Sequence, residues 1–158
     1  MITDKDREYL KIAIDQARKA LHEGDEPFGS VLVSHDHKIL AKDHNHVAKG
    51  DHTQHPEFNL ARWAANNMTI EERAKATVYT SGEHCPMCAA AHGWVGLGRI
   101  VYASSSKQLV QWLTDMGIKP GKVKNLSIQE VIRDTLVEGP VDDLAEEVHQ
   151  LHKAFYGK

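Results

Sequence analysis

Two short segments carry the residues that could bind a metal ion. The chain has two cysteines, Cys85 and Cys88, three positions apart, and His55 lies thirty residues before the first of them. His55 and Cys85 are each followed directly by proline, which is favoured at the first position of a helix. Both are therefore predicted to be helix N-cap residues. A thiolate there is stabilised by the helix dipole, and Cys88 follows one turn later, so both sulfurs can converge on one point.

His55, Cys85 and Cys88 would supply three metal ligands. Three protein ligands plus water are typical of a catalytic zinc, whereas structural zinc sites are closed by four. Glu57 follows His55 by two residues, and with His55 outside the helix as its cap, both side chains can face the same point. The sequence therefore predicts a Zn²⁺ site in which Glu57 carries protons to and from the bound water.

These segments resemble the signature of zinc nucleobase deaminases, in which His-x-Glu is followed by Pro-Cys-x-x-Cys. One position departs from it, because His84 stands where the signature has proline. Residues 26–33, 51–57 and 77–103 also resemble the family's first strand, its approach to the zinc helix and its strand–motif–helix–strand block. The chain is similar to the cytidine/deoxycytidylate deaminase superfamily, in the branch of guanine, cytosine and tRNA adenosine deaminases, over roughly residues 1 to 105.

The resemblance implies a substrate pocket as well as a metal site. The family places at Asn45 an asparagine that hydrogen-bonds the base or sugar, although a turn asparagine is the alternative. It also implies that the backbone carbonyl of Glu83 and the amide of Cys85 contact the leaving group and the oxygen. Phe28 and Trp94 are predicted to stack on a flat ring, unless Trp94 is a core residue. Guanine deaminases carry a similar tryptophan, so guanine is the first predicted substrate.

Other functions remain open at this point. Within the family, the alternatives are a cytosine or nucleoside deaminase and a tRNA adenosine deaminase. From another class, Cys85 and Cys88 at a helix start would suit a thiol–disulfide oxidoreductase, although that leaves His55 and Glu57 unexplained. A further alternative is a non-catalytic zinc module in which His84 or a second histidine, His92, is the fourth ligand.

Composition narrows the class of protein. The 158 residues predict a single deaminase domain spanning residues 1–158. A net charge of −3 with dispersed lysine and arginine disfavours a nucleic-acid partner and favours a small nucleobase or aminoheterocycle. No apolar run is long enough to span a membrane, and two close cysteines without an apolar leader predict a cytoplasmic protein. The resemblance implies a homodimer.

The predicted elements favour an α/β class fold, a three-layer α/β/α arrangement with a mixed, about five-stranded sheet. A hairpin followed by strands alternating with helices predicts antiparallel and then parallel pairing. The predicted helices cover residues 3–23, 56–67, a segment starting at Cys85, 108–116 and a last segment after Gly139-Pro140, and the predicted strands cover 28–33, 38–41, 77–80, 99–103 and 123–127.

The last helix is predicted to dock through Leu144, Val148, Leu151 and Phe155. Phe155 and Tyr156 would then form part of a lid over the site, the alternative being that Phe155 packs in the core. Three histidines are harder to assign. His84 is predicted at the pocket rim or in an exposed loop, and His149 and His152 are predicted to face solvent.

Overall fold

The computed structural model describes residues 1–157, which are arranged around one mixed sheet. In chain order the elements are α1 (Asp4–His22), β1 (Gly29–Val33), β2 (Ile39–His44), α2 (Pro56–Asn67), α3 (Ile70–Lys75), β3 (Thr77–Gly82), α4 (Pro86–Val95), β4 (Ile100–Ser104), α5 (Ser106–Asp115), α6 (Ile128–Val131), β5 (Val137–Glu138) and α7 (Asp142–Tyr156), with a 3-10 turn at Val47–Lys49.

The sheet has the strand order β2-β1-β3-β4-β5. Strand β1 pairs antiparallel with β2 and β3, whereas β3, β4 and β5 run parallel to one another. The predicted mixed, five-stranded sheet is therefore confirmed, including the switch from a hairpin to parallel pairing. Parallel neighbours need crossover helices, which α4 supplies between β3 and β4.

The predicted strand at 123–127 is wrong. This segment has no regular secondary structure, and the fifth strand is Val137–Glu138, which pairs with β4. The physical reason is exposure, because the side chains of Val123 and Leu126 are 64% and 36% exposed and contribute nothing to the core.

Helices cover both faces of the sheet. On one face, Leu10 and Ile14 of α1 and Val148 of α7 pack against Val31 and Val101 of the strands. The predicted docking of the last helix is thus correct for its buried residues, Leu144 and Val148. On the other face, α2 and α4 pack against β1 and β3. Among residues 1–157, no helix combines the length and apolar character needed to cross a bilayer.

Helix α1 approaches the start of β1 very closely. A Cβ atom at Gly29 would lie 2.3 Å from the carbonyl oxygen of Ala13 and 2.4 Å from the amide nitrogen of Ala17. Only glycine fits this contact, because both neighbours are backbone atoms that cannot move aside. The contact places β1, and with it Ser30, at a fixed depth beneath the site.

A buried charged cluster ties α1 to the opposite end of the sheet. Arg99 donates two parallel hydrogen bonds to Asp6, both of 2.9 Å, and a third of 2.8 Å to Glu138. The hydroxyl of Tyr79 donates to Asp6 over 2.6 Å. Burial raises the pKa of Asp6, but the hydrogen bonds from Arg99, Thr3 and Tyr79 outweigh it and hold this pKa well below its usual range.

Candidate active site

The metal-ligand residues stand where two helices begin. His55 is the N-cap of α2 and Cys85 the N-cap of α4, each with an extended backbone and a proline at the first helical position. The Cys85 sulfur accepts a hydrogen bond from the Cys88 amide at 3.5 Å. Both N-cap predictions are therefore confirmed, and the local reason is that proline fixes the start of each helix.

The three ligand atoms form a nearly equilateral triangle. Cys85 Sγ lies 3.4 Å from His55 Nδ1, Cys88 Sγ lies 3.5 Å from the same nitrogen, and the two sulfurs are 3.5 Å apart. Tetrahedral zinc, with bonds of about 2.3 Å to sulfur and 2.0–2.1 Å to nitrogen, requires ligand separations of about 3.6–3.8 Å. The residues present therefore fit zinc, with Nδ1 as the histidine ligand.

The same contacts shift the ionisation of the two thiols. A hydrogen bond joins the sulfurs of Cys85 and Cys88, and together with the contact to His55 it lowers the pKa of Cys85 to about 4 despite its burial. The pKa of Cys88 is raised well above its usual range by the same hydrogen bond and by burial. A thiolate is thus already favoured at Cys85, which is the form that binds a metal.

Glu57 lies beside this triangle on the first turn of α2 and is buried. The hydroxyls of Ser30 and Thr80 lie 2.8 and 2.6 Å from its Oε1. Burial raises the pKa of Glu57, whereas the hydrogen bonds from Thr80 and Ser30 oppose that rise. Because both hydroxyls contact Oε1, the other carboxylate oxygen, Oε2, is the one that can accept and release a proton.

Ser30 and Thr80 were missed in the sequence. They face each other across β1 and β3 as directly paired residues. A signal was present for Ser30, which is the one polar side chain of β1, whereas Thr80 shares β3 with Thr77 and Ser81 and does not stand out; the structure buries both hydroxyls fully. A buried hydroxyl needs a partner, and here the partner is the carboxylate.

A cavity of about 170 Å³ opens next to Glu57 and two of the predicted zinc ligands, His55 and Cys85. Of the predicted substrate residues, Phe28 and Glu83 line it. Its other walls come from residues that sequence reasoning did not assign, namely Glu26, Ser106, Leu109 and Asn125. Asn125 belongs to the irregular segment that had been predicted as a strand.

Two predicted pocket residues lie elsewhere. Trp94 is 89% exposed and does not line the cavity, because α4 turns its Cys88, Ala89 and His92 side inward and Trp94 outward. The predicted stacking of Phe28 and Trp94 on one ring is therefore wrong within a single chain. Asn45 is buried, and its Oδ1 accepts a hydrogen bond from the Val47 amide at 3.0 Å. This contact is that of a turn asparagine, which was the alternative to a substrate-binding role.

The side chain of Glu83 joins the zinc motif to two helices. One carboxylate oxygen accepts from the Ser106 amide and the other from the Ile128 amide, each at 2.9 Å. Glu83 thus fixes the starts of α5 and α6 against the zinc motif. The sequence suggested only a backbone role for this residue.

The histidine predictions need correction. His84 is 1% exposed, so it lies neither at a rim nor in an exposed loop, and neither ring nitrogen has a hydrogen-bond partner among residues 1–157. Its ring packs edge-on against His92 at 5.3 Å. In the described part of the chain, neither histidine joins the three-ligand group. His152 is also buried, against Phe28 at 5.0 Å, whereas His149 stacks on Trp112 at 4.4 Å.

A wider depression of about 500 Å³ forms the mouth of the site. Its lining includes Glu26, His55, Cys85 and segment 118–123, and Tyr156 at the end of α7. The ring of Phe155 packs edge-on against that of Tyr156 at 4.9 Å. The end of α7 therefore reaches the site within the same chain.

Comparison with known proteins supports the same chemistry. Residues 3–104 match the family model of the cytidine and deoxycytidylate deaminase zinc-binding region. A probable cytosine deaminase of Schizosaccharomyces pombe is 33% identical over 75% of this chain and 72% of its own length. A guanine deaminase of Bacillus subtilis is 34% identical over 61% and 62%. A tRNA-specific adenosine deaminase of Buchnera aphidicola is 31% identical over 69% and 72%.

The fold has close counterparts among solved structures. A guanine deaminase from Nitrosomonas europaea superposes with a TM-score of 0.72, covering 100% of this chain and 87% of the other at 17% identity. At such low sequence identity, the superposition shows similarity of fold only. The family match, however, covers residues 3–104 and so includes Glu57 and all three residues of the ligand triangle. The chain therefore belongs to the cytidine and deoxycytidylate deaminase family of zinc-dependent hydrolases.

Proposed function

We propose that this protein hydrolytically deaminates a free nucleobase. The observation that carries this proposal is the small cavity in which Glu57 lies beside the zinc ligands. Pockets for drug-sized ligands enclose about 300–1,000 Å³, whereas this cavity encloses about 170 Å³. A single heterocycle suits that volume better than a nucleotide.

Glu57 is the group that moves protons. When bound, zinc lowers the pKa of a coordinated water towards neutrality and so supplies the nucleophile. Glu57, anchored through Oε1 by Ser30 and Thr80, accepts a proton at Oε2 and delivers it to the ring nitrogen beside the amino-bearing carbon. Glu57 then takes the second proton from the oxygen that has added to the ring carbon and passes it to the departing amine. The carbon–oxygen bond forms, the carbon–nitrogen bond breaks, and ammonia leaves.

Glu26 offers a hydrogen-bond acceptor to a free base. It lines both the cavity and its mouth. Burial raises the pKa of its carboxyl group, and the nearby His55 and His52 oppose that rise. An ionised carboxylate only accepts hydrogen bonds. A free base carries a ring N–H at the nitrogen that bears the sugar in a nucleoside, and Glu26 can accept a hydrogen bond from that group.

Charge argues against a nucleic-acid substrate. Three glutamates, Glu26, Glu57 and Glu83, line the cavity, and the basic residues that line its wider mouth in the described chain are Lys119 and Lys122. The whole sequence has a net charge of −3. Proteins that bind a phosphate backbone normally present a basic surface. This favours a small neutral substrate over tRNA.

Guanine and cytosine are the two candidate bases. The exposure of Trp94 removes the stacking contact that had favoured guanine, and its remaining support is the guanine deaminase relative. Cytosine is favoured by the cytosine deaminase relative, whose match covers more of both chains, 75% and 72% against 61% and 62%.

Ammonia release by the purified full chain tests the proposal. The panel should contain guanine, cytosine, adenine, their nucleosides and tRNA, each with the zinc content of the protein measured. We expect the highest kcat/KM with guanine or cytosine. Turnover confined to nucleosides or tRNA would contradict a free-base deaminase, and zinc-free protein that reduces disulfides would instead support the thiol–disulfide oxidoreductase.

A further inference from the structure

Four potential metal ligands meet at a second place, outside the zinc triangle. Glu23 caps the end of α1, Asp25 lies in the following loop, His44 ends β2, and His46 lies two residues later. One nitrogen of each imidazole and one oxygen of each carboxylate lie within 4.8 Å of one another. The fold thus brings two histidines and two carboxylates together from two separate segments.

Each imidazole has one ring nitrogen engaged in a supporting hydrogen bond. His44 Nδ1 lies 2.9 Å from the carbonyl oxygen of Asn45 and donates to it, so Nε2 is the nitrogen left to face a metal. His46 Nε2 lies 2.9 Å from Asp43 Oδ1, so Nδ1 is the nitrogen left in that ring. Metal-binding histidines typically donate their other N–H to a carbonyl or carboxylate in this way.

The charges around these side chains favour a dication. The two imidazole rings are 4.2 Å apart. The adjoining depression is lined by Glu23, Asp25 and Asp51 against one cation, Lys49. These side chains leave a local excess of negative charge, which a divalent ion would balance.

We propose that Glu23, Asp25, His44 and His46 bind a divalent transition-metal ion, for which Zn²⁺ is the suitable probe. Nitrogen and oxygen ligands at about 2.0–2.1 Å from tetrahedral zinc lie about 3.3–3.4 Å apart. The distance from His44 Nε2 to Glu23 Oε2 is 3.3 Å, which already matches this separation between two ligands of one zinc ion. The Glu23 side chain is 49% exposed and can move to close the remaining distances.

The ion would brace the chain that forms the cavity. Asp25 directly precedes Glu26, a residue of the cavity wall. The Asn45 amide, next to His44, donates to the carbonyl of Phe28 at 3.0 Å. The His46 amide donates to the carbonyl of Gln54, the neighbour of His55, also at 3.0 Å. The second site is therefore structural, and it supports the cavity wall without taking part in the reaction.

Equilibrium dialysis of the full chain against Zn²⁺, followed by metal analysis, tests the proposal. Wild type should bind two zinc ions per chain, and a His44→Gln/His46→Gln double variant should bind one. In a Co²⁺ titration, the cysteine site gives thiolate charge-transfer absorption, whereas the second equivalent should add only d–d absorption. Glu23→Gln, a change at a half-exposed position that leaves the fold intact, should weaken the second Kd by about ten-fold or more.

The matched control is a pair of exposed histidines with the same spacing. His35→Gln/His37→Asn should keep both zinc ions, since the structure places this pair on the exposed turn between β1 and β2, and asparagine tolerates the positive φ of residue 37. Saturation of wild type at one zinc would overturn the proposal. So would a second site whose affinity is unchanged in both Glu23→Gln and the His44/His46 double variant.

Discussion

Glu57 is held by two hydroxyls at one oxygen, so its second oxygen is the one that can exchange a proton. In Glu57→Gln the amide keeps the size of the side chain but cannot carry the proton. We expect turnover to fall by about 10²–10⁴-fold while the zinc content and the fold are retained. Steady-state kinetics with metal analysis checks this, and near-normal turnover would mean that another group transfers the proton.

Thr80 acts on the reaction through Glu57 and is therefore a positioning residue. Thr80→Val removes a 2.6 Å hydrogen bond to the carboxylate. A hydrogen bond to a charged group is worth about 1.5–3 kcal/mol, so kcat should fall by roughly ten- to a hundred-fold with KM little changed.

Two further variants separate positioning from stability. Thr80→Ser should restore kcat because it keeps the hydroxyl. Thr77→Val, on the same strand but outside the site, should leave kcat unchanged. An equal loss in KM and kcat for Thr80→Val would indicate a disturbed pocket rather than a misplaced carboxylate.

Cys88 is the buried member of the ligand triangle. Cys88→Ala should release most of the zinc and lower the thermal stability, because metal binding is linked to folding. Metal analysis and thermal denaturation measure both effects, and Met87→Ala between the two cysteines is the control. A Cys88→Ala protein with full zinc and full activity would show that the ligand assignment is wrong.

Single residues differ in how far the sequence predicts their roles. His55, Glu57, Cys85 and Cys88 are predictable because proline, helix caps and ligand spacing act over a few positions. Trp94 is not, because the side of α4 that faces the sheet depends on tertiary packing.

At the scale of elements, the end of α7 lines the mouth of the site. Tyr156 lines that mouth together with Glu26 and His55, and burial beside Glu26 raises the pKa of its hydroxyl. If Tyr156 is part of a lid, Tyr156→Ala should raise KM for the free base by roughly five-fold, equivalent to about 1 kcal/mol.

Circular dichroism must show that α7 remains intact in this variant. Gln150→Ala, an exposed change on the same helix, is the control and should leave KM unchanged. Unchanged kinetics in Tyr156→Ala would mean that Tyr156 serves only to pack the chain end against Phe155.

Elements with a long periodic pattern are predictable, and the short ones are not. Helices α1 and α7 follow from apolar residues that repeat on one face. Strand β5 has only two residues, Val137 and Glu138, which is too short for any alternation to be visible. The segment that includes Val123 and Leu126 is apolar enough to suggest a strand, yet it remains on the surface beside the site.

At the scale of the whole molecule, the Asp6–Arg99 pair joins the first helix to the distant strands. Breaking this pair in Asp6→Asn should lower the free energy of unfolding by about 3 kcal/mol. This is near the lower end of the range for a broken buried ion pair, because Arg99 retains its hydrogen bond to Glu138. Chemical denaturation near neutral pH measures this cost, and Asp4→Asn in the exposed first turn of α1 is the control.

The pH dependence of this contribution has a definite sign. The folded pKa of Asp6 lies below its ordinary value of 3.8, so the ionised form stabilises the protein above that pH. The stabilisation is lost as the pH falls below 3.8 towards the folded pKa. The difference in stability between wild type and Asp6→Asn should therefore shrink in acid, and a constant difference would contradict the assignment.

The two hydrogen bonds accepted by the Glu83 carboxylate have a consequence for protein engineering. They connect the loop before α4 to the starts of α5 and α6, between which lies the part of the cavity wall that contains Asn125. Specificity and metal binding are therefore not separable modules in this chain. A substrate loop transplanted from a relative would need a backbone amide at each of these two positions, or the graft would leave a carboxylate without partners two residues from a zinc ligand.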